Sequence, residues 1–137
     1  MSSDFLMDDK CFACGSANPH GLKLQIKEKD DGVEAIIEPP LWTQGYHNTV
    51  HGGIVSTILD EMTVWAAYLK ADLKCVTGEL NIRIRTSMHI DQRYIATAEI
   101  IKVKHQLVIA KAQIVDKNNK LIAQAQAKLI RIGRISN

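Results

Sequence analysis

Two acidic residues, Asp60 and Glu61, interrupt an otherwise apolar stretch that follows the tripeptide His51-Gly52-Gly53. Buried carboxylates are rare in proteins unless a nearby group compensates their charge. A carboxylate in such a position can serve as a general base on water or as a nucleophile. The pattern alone also allows a helix that turns this face to solvent, with both acids hydrated.

The glycines at the start of this stretch offer a second chemical function. Backbone N–H groups at a helix N-terminus lack intrahelical partners, so they attract negative charge. Gly52 and Gly53 leave these groups uncovered by side chains, and such donors can stabilise the oxyanion that forms when an acyl carbonyl is attacked. Glycines at a helix entry are more often only a tight turn, so this signal counts only together with the acid.

The spacing of the two features constrains how they can work together. Asp60 lies eight residues beyond Gly52, which corresponds to about 12 Å along a helix. A base and an oxyanion donor must both come within roughly 3 Å of the same reacting group. One chain cannot easily supply both. If both are catalytic, we predict a two-fold dimer in which antiparallel helices share each site.

The elements that position these residues can be predicted from periodicity. Apolar residues recur at helical spacing from His51 to about Lys70 and cover most of the circumference, which indicates a buried helix. Alternating segments predict two strands before the helix and four after it. We therefore predict an α+β fold with an antiparallel sheet curled around one helix. The strand segments are LKLQIKEK, VEAIIE, Glu79 to Arg85, RYIATAEIIKVK, QLVIAKAQIVD and KLIAQAQAKLIRI.

Composition limits the protein class. The 137 residues, 46% hydrophobic and 23% charged, fit one domain over residues 1–137, with residues 1–20 as an N-terminal loop or extension. A net charge of +2 gives no argument for nucleic acid. Neither a membrane span nor a signal peptide is recognisable, so we expect a cytoplasmic protein with reduced cysteines.

Cys11, Cys14 and His20 raise the possibility of a zinc site near the N-terminus. Cys-x-x-Cys is a good half-site, but closed structural zinc usually needs four ligands. Cys75 is the only other cysteine, and nothing in the sequence brings it near. The sequence therefore favours a loop packed over the sheet, with no metal.

Three segments resemble one known family. VHGGIVSTILDEM, the later TGELNIRIR and the opening CFACGSANPHGLKL are similar to hotdog-fold acyl-CoA thioesterases of the phenylacetate-pathway and human thioesterase-superfamily type. The resemblance implies a long central helix wrapped by an antiparallel sheet, in homodimers or homotetramers with active sites shared between subunits. It also implies hydrolysis of an acyl-CoA to the free acid and coenzyme A, with no bound cofactor.

Site residues follow from the resemblance. Asp60 falls where the family has its catalytic carboxylate, and Gly52 falls at the backbone N–H that binds the thioester oxygen, with His51 shaping the helix start. Thr77 matches a Ser or Thr that helps some members to hold the attacking water. Glu61 points about 100° away from Asp60 on a helix. We expect it to be a supporting partner, although the two acids could exchange roles.

Substrate-binding residues are less closely matched. Gly53 joins Gly52 at the helix start. Some members have an asparagine six residues before the motif histidine, where this chain has Gly45. Gln44 and Asn48 are the candidates to replace it.

Basic residues of the later strands are candidates for binding coenzyme A phosphates. Arg83 and Arg85 suit bidentate contacts with phosphate, although outward-facing strand residues are more often simply solvated. Many relatives have an Arg-Pro step after this strand, whereas this chain reads Arg85-Thr86. Further basic residues of this region are Lys102, Lys104 and His105.

Two other functions fit the same fold. One is a non-catalytic module that binds or senses acyl-CoA, and the presence of Asp60 counts against it. The other is a hydratase or dehydratase of acyl thioesters, whose arrangement of acid and histidine is not found here. The acyl group cannot be predicted, although 5% aromatic residues slightly favour an aliphatic chain.

Overall fold

The computed structural model describes residues 8–134, which form one long α-helix and a six-stranded antiparallel sheet. The helix, α1, covers Gly52–Ala71 and follows a 3₁₀ turn at Leu41–Thr43. The sheet order is β1-β2-β4-β5-β6-β3, so β3 is an edge strand. The strands are β1 Lys27–Lys29, β2 Gly32–Ile37, β3 Leu73–Ile84, β4 Tyr94–Lys104, β5 Leu107–Asp116 and β6 Leu121–Arg134.

This arrangement confirms the predicted α+β hotdog architecture, with the sheet curved around the helix. The face of α1 that carries Val55, Ile58, Leu59 and Met62 is fully enclosed. Small side chains on the facing strands let the helix approach the sheet closely. The buried alanines on these strands include Ala96, Ala98, Ala110, Ala112, Ala123, Ala125 and Ala127. In the part of the chain described, no helix combines the length and apolarity that a bilayer crossing requires.

Two strand boundaries differ from the prediction. Only Lys27–Lys29 of the first predicted strand pairs with the sheet. The backbone N–H groups of Leu22 and Leu24 donate instead to the carbonyls of Phe12 and Ala13, so this segment is held by the N-terminal residues. β3 begins at Leu73 rather than near residue 79. A bulge between residues 77 and 79 breaks the alternation of the strand, so the sequence pattern predicted only its second half.

Candidate active site

The start of α1 leaves one backbone donor open. His51, at the N-cap, has φ of −58° and ψ of 137°, and its Nδ1 accepts the N–H of Gly53 at 2.8 Å. The N–H groups of Ile54 and Val55 donate to the His51 carbonyl. Among residues 8–134 the Gly52 N–H has no acceptor. Because Nδ1 accepts, the neutral imidazole carries its proton on Nε2.

The loop before α1 supports this cap. A Cβ atom at Gly45 would lie 3.2 Å from the Cα of His51, so glycine lets the loop close against the histidine. The side-chain oxygen of Gln44 accepts the Asn48 N–H at 2.7 Å, and Asn48 adopts φ of 60°. Gln44 therefore holds the turn, and neither residue lines the groove at the helix start.

This groove has a volume of about 640 Å³ and opens beside Gly52. Arg85 lines it, whereas Arg83 lines a separate depression on the polar outer face of the sheet. The two arginines considered as a phosphate site therefore line different depressions. The groove is lined by Gly45, Tyr46, Thr49, Val50, His51, Gly52, Val55, Ile84, Arg85, Thr86, Ser87 and Met88.

Asp60 lies half-buried in the middle of α1, and a neighbouring strand orients its carboxylate. The Thr77 hydroxyl on β3 donates to Asp60 Oδ1 at 2.6 Å. Within the described chain, Oδ2 has no hydrogen-bond partner and no basic side chain forms an ion pair with the carboxylate. One carboxylate oxygen is thus fixed and the other is open.

Two hydroxyls lie about one helical turn before Asp60, but in the described chain neither hydrogen-bonds to its carboxylate. Ser56 donates to the Gly52 carbonyl at 2.8 Å, and Thr57 donates to the Gly53 carbonyl at 2.9 Å. A hydroxyl has one proton, so neither can also donate to Asp60. The protons of both hydroxyls are therefore used by the backbone of the preceding turn.

Glu61 faces a different environment. Its Oε2 accepts Trp65 Nε1–H at 3.1 Å and lies 3.7 Å from Cys11 Sγ. Burial, then the neighbouring Glu61 carboxylate and Cys11, raise the pKa of the Cys14 thiol. The contact with Trp65 was missed from sequence, although the i, i+4 spacing on a helix signals it. By contrast, nothing in the sequence indicated that the N-terminal cysteine loop contacts Glu61.

Known proteins match this chain in two ways, through part of its sequence and through its fold. A family model described as the thioesterase superfamily matches residues 47–123, which include the helix start, Asp60 and Thr77. The sequence has no significant match among curated proteins.

Solved structures show the same fold at low sequence identity. A crystallised thioesterase superfamily protein superposes with a TM-score of 0.82 at 15% identity over 89% of this chain, which spans 60% of that protein's length. A hypothetical thioesterase from Streptococcus pneumoniae TIGR4, crystallised with coenzyme A, has a TM-score of 0.76 and 18% identity, covering 82% of this chain and 88% of that one. The E. coli PaaI protein from the phenylacetic acid degradation operon has a TM-score of 0.75 and 20% identity, covering 82% of each chain.

Proposed function

Because the chain belongs to the thioesterase superfamily, we propose that it hydrolyses the thioester of an acyl-CoA to the free acid and coenzyme A. The observation that carries this proposal is the Asp60 carboxylate, with Oδ1 held by Thr77 and Oδ2 open. The helix that bears it also presents the Gly52 N–H, which has no acceptor among the residues that the structure describes. The proposed reaction uses no cofactor. The streptococcal relative crystallised with coenzyme A supports the choice of an acyl-CoA substrate.

In the proposed reaction, Asp60 Oδ2 removes a proton from water as the water oxygen attacks the thioester carbonyl carbon. The Gly52 N–H donates to the resulting oxyanion, assisted by the helix dipole. Collapse of this intermediate breaks the C–S bond, and coenzyme A leaves as a thiolate that then takes up a proton. The alternative is direct attack by the same open Oδ2 on the carbonyl carbon, which expels coenzyme A thiolate and leaves an acyl anhydride on Asp60 that water then hydrolyses to the free acid.

Thr77 then orients the base rather than the water. Its hydroxyl proton is committed to Asp60 Oδ1, so only the lone pairs of its oxygen remain for a water molecule. Holding Oδ1 directs the other oxygen towards the reacting water. Direct contact between Thr77 and the attacking water is not required.

A second copy of the chain completes the site in this proposal. Gly52 and Asp60 are separated by two turns of one helix, about 12 Å, so they cannot serve one carbonyl from the same chain. β3 is an edge strand with an open ladder, and it exposes Val76 and Ile84 to 44% and 45%. Pairing of two β3 strands would close both edges and cover this apolar surface.

Antiparallel pairing of two β3 strands also explains how the two halves meet. Ile84 borders Gly52, since a Cβ atom there would lie 3.7 Å from Ile84 Cδ1, while Thr77 contacts Asp60. A two-fold axis near Leu80 brings Ile84 of one copy close to Thr77 of the other. The Gly52 N–H of one copy and the Asp60 carboxylate of the other then face one thioester, and each dimer carries two sites.

The groove beside Gly52 is the proposed entry for the substrate. Its volume of about 640 Å³ lies within the usual range for small-molecule sites. Arg85, exposed on its wall, is the basic residue available for a coenzyme A phosphate. Arg83 serves this purpose less well because it lines the other depression.

Release of free thiol from a panel of saturated acyl-CoAs tests the proposal. We expect turnover by the native protein and a loss of about 10²- to 10⁴-fold in Asp60→Asn, the usual contribution of a general base. Asp31→Asn, in the exposed turn between β1 and β2, is the matched control and should retain activity.

The other outcomes point to other functions. Binding of acyl-CoA without thiol release would support a binding or sensing module instead. Hydration or dehydration without thiol release would support the hydratase class. Activity that survives in Asp60→Asn but is lost in Glu61→Gln would exchange the roles of the two acids.

A further inference from the structure

The N-terminal loop brings two thiols and a carboxylate together, away from the Asp60 carboxylate. In the chain from residue 8 to 134, the ligand atoms of Cys11, Cys14 and Glu61 lie within 4.8 Å of one another. The cysteines are in the loop, whereas Glu61 belongs to the middle of α1. All three are half-buried, so the cluster is not fully exposed to solvent.

The loop that carries the cysteines is tightly folded. The Cys14 N–H donates to Cys11 Sγ at 3.4 Å, and the Gly15 N–H donates to the Cys11 carbonyl at 2.9 Å. A Cβ atom at Gly15 would collide with the backbone of Asp9 and Cys11, so only glycine fits there. The Cys11-x-x-Cys14-Gly15 segment is therefore a compact turn that brings the two sulfur atoms within 4.8 Å of each other, with a backbone N–H donating to Cys11 Sγ.

Glu61 is oriented into this turn without a compensating cation. Trp65 Nε1 donates to Oε2 at 3.1 Å, and the same oxygen lies 3.7 Å from Cys11 Sγ. None of the ion pairs in the described chain involves Glu61. Hydrogen bonds from Trp65 and the Cys11 thiol compensate part of the cost of half-burying this carboxylate, and a cation would compensate the rest. The hydrogen bond from Trp65 is the kind of outer contact that orients a metal-binding carboxylate.

We propose that Cys11, Cys14 and Glu61 bind one Zn²⁺ ion, with water in the fourth position. Bonds of about 2.3 Å to sulfur and about 2.1 Å to oxygen at a tetrahedral angle separate the two ligand atoms by about 3.6 Å. The observed separation of Cys11 Sγ and Glu61 Oε2 is 3.7 Å. On binding, both cysteines lose their thiol protons to solvent, and the ion offsets two of the three negative charges.

This proposal departs from the sequence-based expectation of no metal. The sequence offered only His20 as a third ligand beside the two cysteines. His20 is exposed and does not belong to the cluster. The third ligand comes instead from the helix, fifty residues beyond Cys11. Zinc at this point would fasten the N-terminal loop to α1 one residue from Asp60. The proposal does not depend on thioesterase activity.

Zinc binding to the reduced, metal-free full chain tests the proposal. We expect the native chain to bind one Zn²⁺ in competition with a chromophoric chelator, and Zn²⁺ to raise its unfolding temperature. Cys75→Ala is the matched control because Cys75 is buried elsewhere in the core, and it should bind zinc normally. The double variant Cys11→Ser/Cys14→Ser should lose binding, and Glu61→Gln should weaken it by on the order of tenfold or more.

Cobalt replacement gives a readout on the native chain, so it does not depend on whether a variant folds. Co²⁺ should produce the intense absorption of thiolate coordination, and added Zn²⁺ should abolish it. The proposal is overturned if the native chain binds Zn²⁺ no more tightly than the double variant, or if Co²⁺ shows no thiolate absorption. It is also overturned if mild oxidation joins Cys11 to Cys14 equally fast with and without Zn²⁺, since thiolates bound to zinc should be protected from oxidation.

Discussion

The Gly52 N–H can be removed without removing the helix, which makes the proposed oxyanion donor testable by substitution. Gly52 is the first residue of α1, a position that proline favours because its missing N–H has no intrahelical partner there. Proline also requires an extended residue before it, and His51 has ψ of 137°. A Cβ atom at position 52 meets only Ile84 Cδ1, at an ordinary 3.7 Å. Gly52→Pro should therefore fold.

The expected loss follows from the contribution of one such donor. Removal of one hydrogen bond to an oxyanion costs about 10²- to 10³-fold in kcat, or about 2.7–4 kcal/mol of transition-state stabilisation. Stability should change little, because the Gly52 N–H makes no hydrogen bond in the described chain. Gly52→Ala is the matched control, since it adds the same Cβ atom and keeps the N–H. Its helix should be stabilised by about 0.5–1 kcal/mol relative to glycine.

The assay compares kcat of the two variants at saturating acyl-CoA, with circular dichroism melting as the measure of folding. Inhibition by free coenzyme A reports binding, so that obstruction of the groove by the proline ring can be separated from loss of the donor. We expect similar inhibition constants for both variants and a large difference in kcat. A folded Gly52→Pro variant whose kcat lies within threefold of Gly52→Ala would refute the assignment of Gly52 as the donor.

Three further predictions concern the Thr77 hydroxyl, the pairing of two copies and the N-terminal turn at Gly15. Thr77→Val should lower kcat/KM by about 10- to 100-fold, the value of a hydrogen bond to a charged group, while Thr77→Ser should retain most activity; equal losses in both variants would contradict a role for the hydroxyl. If each site combines two copies, unfolding Gly52→Pro and Asp60→Asn chains in equal amounts and refolding them together should restore about one quarter of native activity, because half of the dimers are mixed and each mixed dimer has one intact site. Failure to recover activity would place both groups of a site in one chain. Gly15→Ala should lower the unfolding temperature by several degrees, because its Cβ atom meets backbone; an unchanged melting curve would contradict the tight turn.

The fold could be predicted because its signals are local. The helical period from His51 to Lys70 and the alternation of the later strands fix which faces are buried. The first strand was predicted too long, because alternation shows that a segment is extended but does not show which segment it pairs with. The backbone N–H groups of Leu22 and Leu24 donate to the carbonyls of Phe12 and Ala13, and the alternating pattern does not indicate this pairing.

The surroundings of Asp60 were predicted less well, for a related reason. Ser56 and Thr57 lie four and three residues before Asp60, a spacing that puts them on the same helix face, but hydroxyls in a helix can donate to the carbonyl four residues earlier. That local bond is made at both positions. The hydroxyl that does reach Asp60 belongs to Thr77 on the next strand, and only the family resemblance drew attention to it.

The two adjacent acids are distinguished by what each carboxylate already contacts. Their angular separation of about 100° turns Asp60 towards β3 and Glu61 towards the N-terminal loop. Asp60 keeps one oxygen free after its bond to Thr77, so it can receive a proton without losing a structural contact. Glu61 instead accepts hydrogen bonds from Trp65 and from the Cys11 thiol, so its carboxylate is directed to the N-terminal cysteines and not to β3. This difference favours Asp60 as the base and Glu61 as a ligand, and it gives two neighbouring carboxylates separate functions.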